Sequence, residues 1–137
     1  MTHNKKIKMI KLLLFLVLIF ATLSVNAKWL LMNEDDEVSI YIETNSIKRK
    51  DNVVTYWKLF DYSVEQTFNN INYFSSKEKY ETNCNTEEGA SLLISFTSAK
   101  MGKGKSVYSY KAEQKNFIPN IPDTIGYTIY KFVCKRK

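Results

Sequence analysis

The stretch Val53-Val54-Thr55-Tyr56-Trp57-Lys58-Leu59-Phe60-Asp61-Tyr62 constrains this chain more than any other. β-Branched and aromatic residues fill it, and it contains neither Gly nor Pro, so it reads as a strand. Val53, Thr55, Trp57 and Leu59 point one way; Val54, Tyr56, Phe60 and Tyr62 point the other. Both faces are substantially apolar. A strand of that kind belongs in the middle of a sheet, with one covered side and a second, partly covered one.

The chain has 137 residues, enough for one domain. Residues 1–27 read as a cleaved signal peptide and residues 28–137 as the mature domain. Lys5, Lys6, Lys8 and Lys11 form a basic start, Leu12 to Val25 an apolar run, and Val25-Asn26-Ala27 a small-x-small cleavage signal. A membrane-spanning helix needs about 20 apolar residues, so no transmembrane segment is expected after cleavage. The formal charge of +6 then shrinks. Four of the 20 cations leave with the leader and all 14 acids stay, so the mature charge is 20 − 4 − 14 = +2. A nucleic-acid partner is not expected from so small an excess.

His3 is the only histidine and leaves with the leader. The mature chain therefore lacks the usual general base and the commonest metal ligand, which excludes Ser-His-Asp and Cys-His sites and most zinc sites. No carboxylate pair is marked out by local pattern. Gly102-x-Gly104 lacks the third glycine and the strand–turn–helix setting of a nucleotide loop and reads as a hairpin loop. The acidic run Glu34-Asp35-Asp36-Glu37 lacks the spaced oxygens and central glycine of a calcium loop and reads as a solvated turn.

Around the central strand, alternation marks others. Trp29 to Met32 makes a short strand that pairs with Val38–Glu43, where Val38, Ile40 and Ile42 face in. Lys48 to Asn52 is a polar link, its three cations a solvated tip, and Ser63 to Asn70 is polar and turn-rich. Ile71 to Cys84 is a long strand with Phe74, Ser76, Tyr80, Thr82 and Cys84 on one face. Gly89 ends a turn, where it would supply positive φ if needed. Ala90, Leu92, Ile94 and Phe96 face in along the next strand. Met101 to Lys105 is a flexible loop, and Val107 to Tyr110 a last short strand. The fold expected is mainly β, α+β in class: a single antiparallel sheet of about six strands.

The tail admits two readings. Asp123 or Thr124 could cap a helix with Ile125, Ile129, Phe132 and Val133 on one face, whereas Ile125 to Tyr130 has strand-like composition. On an ideal helix Cys134 falls roughly opposite Ile125. Cys84 and Cys134 are an even pair in an exported chain, which suggests a disulfide; two buried free thiols is the other reading.

Trp29, Val38-Ser39-Ile40-Tyr41-Ile42-Glu43 with Ser46-Ile47, Val54 to Tyr62, Tyr73-Phe74-Ser75-Ser76, Cys84, Pro122-Asp123-Thr124 and Cys134 together resemble the surface-adhesin protein E family of Gram-negative bacteria. The pattern covers nearly all of residues 28–137. The resemblance implies a C-terminal helix tied to the concave face of the sheet by a Cys84–Cys134 disulfide. It also implies a small exported binding protein, not an enzyme, that needs no cofactor and contacts host extracellular-matrix or serum proteins. No cysteine lies near Ala27 for lipid attachment, so the expected location is the periplasm, or secretion to the cell surface or medium. The alternative is a periplasmic accessory protein, or one binding a small apolar ligand such as haem, for which Tyr or Met would have to ligate iron. A homodimer stays open.

The candidate binding surface comprises Lys100, Lys103, Lys105, Tyr108, Tyr110, Lys111 and Lys115. Five lysines within 16 positions, with one acid (Glu113), make a local cationic stretch. The commoner use of such lysines is to keep an edge strand from pairing with another chain.

Overall fold

A computed structural model describes residues 27–136. The expected leader lies outside the described residues except for Ala27.

Eight strands form one antiparallel sheet: β1 (Trp29–Glu34), β2 (Val38–Glu43), β3 (Lys48–Lys50), β4 (Val53–Phe68), β5 (Ile71–Asn83), β6 (Glu88–Thr97), β7 (Ser106–Lys111) and β8 (Ile118–Pro119). Helix α1 (Ile125–Lys135) follows. The order across the sheet is β1-β2-β4-β5-β6-β7, with β3 also on β4 and β8 also on β6. This is two strands more than the expected six. β3 and β8 have only three and two residues, too few for alternation to reveal them.

The run Val53 to Tyr62 does lie mid-sheet, between β2 and β5. Its strand, however, continues to Phe68, through residues whose polarity suggested a turn. Beyond a bulge between Asp61 and Gln66, the β4–β5 hairpin runs past the register of β2. Strand backbone there has few neighbours, so polar side chains suit both its faces. The turn itself is only Asn69-Asn70, both at positive φ (48° and 62°), which fits a tight hairpin. Likewise Lys48 to Lys50 pairs with β4, and only Asp51-Asn52 turns.

Cross-strand partners share a face, so the register sorts the side chains. Ile40 lies beside Phe60, Tyr56 beside Tyr80, and Val54 beside Thr82. These form the face on which α1 packs. Ile129 and Val133 of the helix bury against Ile40, Ile42, Val54, Tyr56 and Tyr80, with Ile125 and Phe132 at the margin. Each fully buried aliphatic contributes about 1.5–3 kcal/mol.

The tail is helical through Lys135, settled by this packing rather than by its strand-like composition. Thr124 is the cap: its Oγ1 accepts from the Tyr127 amide at 3.2 Å. Cys134 lies within the last turn and is bonded to Cys84, with the Cα atoms 5.6 Å apart. Both cysteines pack at the margin of the core, Cys84 directly after the end of β5. Arg49 Nη1 donates to the Cys134 carbonyl at 2.9 Å, satisfying a helix-end acceptor.

Two details depart from simple alternation. A bulge at Leu92 shifts β6, so Ala90 pairs with Glu81 and faces away from Ile94 and Phe96. Gly89 is not the turn's positive-φ residue; Glu87 is, at φ 61°. Gly89 lies in β6 beneath the Tyr80 ring, where an added Cβ would stand 2.4 Å from Cε1.

Candidate functional site

The two faces of the sheet differ in kind. On the helix side, Lys58 and Glu78 are register partners joined at 2.7 Å, both nearly buried. Lys58 Nζ also sits 3.5 Å from the centroid of Tyr80. Burial pulls the Lys58 ammonium below its usual pKa, while Glu78 pulls it back up. The pair therefore bridges two central strands inside the core margin. Beyond it lies a ring cluster: Tyr73 stacks on Phe96 at 4.1 Å, and Phe68, Tyr62 and Tyr108 make further ring contacts. Phe68 touches Tyr108, so the β4–β5 hairpin curls over that end of the sheet.

Among the described residues the other face carries no helix. Its rows follow from register: Trp57 lies beside Lys79, then Leu93, then Lys111. One row on, Lys48 lies beside Thr55, then Glu81. Lys115, beyond β7, reaches back to Glu81 with Nζ 2.9 and 3.0 Å from its two carboxylate oxygens. Three shallow depressions result. One of about 540 Å³ is lined by Lys48, Lys50, Thr55, Glu81 and Lys115 among others. The next, about 480 Å³, shares Lys115 and adds Lys79, Lys111 and Leu93. The third, about 450 Å³, shares Leu93 and adds Trp29, Trp57, Lys77, Ser95 and Ser109. The shared residues join them into one track across the sheet.

Hydroxyls line its third part. Ser95 Oγ lies 2.8 Å from Ser106 Oγ and accepts from Ser109 Oγ at 3.1 Å. Beyond them the chain from Lys100 to Gly102 folds back on β4 and β5. The Met101 amide donates to Asp61 Oδ1 at 2.6 Å and the Gly102 amide to Ser75 Oγ at 2.8 Å. Gly102, at φ 66°, presses on Leu59 and Lys77 where a Cβ would clash. This loop is thus pinned down, and it buries Leu59.

The residues singled out from the sequence separate. Lys111 and Lys115 lie on the open track. Lys100 donates to the Tyr62 and Ser63 carbonyls. Lys103 and Lys105 are exposed on the loop beyond the track. Tyr108 and Tyr110 share a face with each other but pair with Phe96 and Ile94, on the helix side. Lys48, Lys50, Lys77, Lys79 and the two tryptophans were missed. A usable signal was present: Lys48/Lys50 and Lys77/Lys79 are i, i+2 pairs, which a strand puts on one face. Among the described residues no group of three or more His, Cys, Asp or Glu could hold a metal ion, and no helix is long and apolar enough to cross a membrane.

A family model described as surface-adhesin protein E matches residues 29–135. Among solved structures, crystal form II of Haemophilus influenzae protein E is similar at 16% identity and a TM-score of 0.62, covering 81% of this chain and 90% of that one. Another Haemophilus influenzae protein E structure gives 16% and 0.61, covering 81% and 86%. Protein E from non-typeable Haemophilus influenzae gives 17% and 0.58, covering 82% and 78%. At such identities the likeness is one of fold. No curated protein matches the chain significantly.

Proposed function

Because this chain belongs to the surface-adhesin protein E family, we propose that it is an exported surface protein that contacts host extracellular-matrix or serum proteins and performs no catalysis. On this reading residues 1–27 are removed on export, and residues 28–137 act from outside the cell. The observation that carries the reading is the asymmetry of the sheet. One face is closed by α1, while the other presents lysines and two half-buried tryptophans over several strands. Accessible aromatic and cationic groups on a rigid scaffold suit recognition, the cations raising the association rate. The disulfide supports an oxidising compartment.

The test has two parts. Protease applied to intact cells should remove the protein, and the purified mature chain should bind saturably to some of a panel of immobilised matrix and serum proteins. Protection from protease until the outer membrane is permeabilised would overturn the reading in favour of a periplasmic accessory role.

A further inference from the structure

We infer that the open-face track is a binding site for a linear sulfated polysaccharide, an inference that rests on the surface location proposed above and names a ligand class for that face. Setting aside Arg49, whose guanidinium is held at the helix-end carbonyls, the lining of the three joined depressions holds six lysines against four carboxylates, a net +2. That equals the whole net charge of residues 28–137. Positive charge is therefore concentrated here. Glu81 and Lys115 neutralise each other, which leaves five lysines against three carboxylates.

The arrangement suits an extended polyanion. Lys77 and Lys79 are two residues apart on one strand, about 7 Å, and Lys79 and Lys111 are two strands apart, about 10 Å. Ammonium groups at such intervals meet discrete anionic groups along a chain. Lysine is a compact, rotatable point charge that can meet anionic groups presented at variable angles, whereas arginine's planar fork pairs bidentately with carboxylate or phosphate. The two arginines are held elsewhere: Arg49 at the helix-end carbonyls, Arg136 over Phe132. At the other end, Trp57 and Trp29 offer ring surface for the C–H face of a sugar, beside the Ser95 and Ser109 hydroxyls.

An acidic peptide fits less well. The track crosses strands whose backbone groups are already paired in the ladder, so a peptide could not add as a further strand.

Trp29 and Trp57 are the only tryptophans in the chain, and both line the track, so intrinsic fluorescence reports its occupation. The experiment titrates the disulfide-intact mature chain with a heparin octasaccharide, the same octasaccharide after desulfation, and polyglutamate of matched charge. The sulfated probe should change the fluorescence saturably, with an affinity that falls as salt rises. Lys79→Gln with Lys111→Gln should weaken it about ten-fold, roughly 1.4 kcal/mol. Lys103→Gln with Lys105→Gln, on the neighbouring loop, should change it less than about two-fold. Equal binding of the desulfated probe or of polyglutamate would overturn the assignment, as would an equal effect of the two lysine pairs. No titration by the sulfated probe, in a chain still accessible on intact cells, overturns the track and leaves the adhesin reading standing. Inaccessibility on cells removes the adhesin reading and leaves the fluorescence titration to judge the track.

Discussion

Gly89 shows how a single position can be set by its neighbour rather than by its own backbone. The Tyr80 ring lies over it, with the Lys58 ammonium 3.5 Å from the ring centroid and Tyr56 5.9 Å away between centroids. A ring so confined cannot swing aside cheaply. Gly89→Ala should therefore destabilise the protein by about 1–3 kcal/mol, the usual cost of overpacking. Urea unfolding measures this. The same substitution in a Tyr80→Leu background should cost less, because the clashing atoms are gone; an equal cost in both backgrounds would return Gly89 to a role in strand conformation. Sequence reading found the glycine and its place beside a turn, but not the ring above it. Nothing local links residue 89 to residue 80; the β5–β6 register does.

At the scale of the element, α1 is the clearest case of tertiary context deciding a local contest. Its 11 residues include Gly126 and three β-branched residues before Phe132, a weak helix former in isolation. The cap at Thr124, burial of Ile129 and Val133, and the bond from Cys134 to Cys84 together hold it. That bond closes a loop of 50 residues, for which chain entropy gives about 4 kcal/mol. Cys134→Ser should lower the Tm by on the order of 10 °C, read by calorimetry on the unreduced protein. A change of a degree or two would mean that the helix is held by packing alone. Legibility here was partial. The helical face and the two candidate caps were readable; the extent of the helix past Cys134 was not, because it depends on where β5 ends.

At the scale of the whole molecule, charge is uneven along the sequence: residues 28–137 carry a net +2, and residues 1–27 supply the other four positive charges. Intact mass of protein recovered from the periplasm or medium should correspond to a chain beginning at Lys28; a species retaining Met1 to Ala27 there would falsify the assignment of residues 1–27. By itself the sequence determined how each strand divides its faces: Val38/Ile40/Ile42 together in β2, and Val54/Tyr56/Phe60 opposite Thr55/Trp57/Leu59 in β4. It could do so because alternation is local covalent geometry, the same in any sheet. Only the tertiary structure decided which lysines are neighbours. Lys48, Lys79 and Lys111 come together through strand order and register, while Lys100, closer in sequence to Lys111, turns back to the Tyr62 carbonyl. Bulges at Leu92 and between Asp61 and Gln66 reset the alternation midway. Register and bulges are fixed by burying the common core of sheet and helix, a property of the whole chain and of no segment within it.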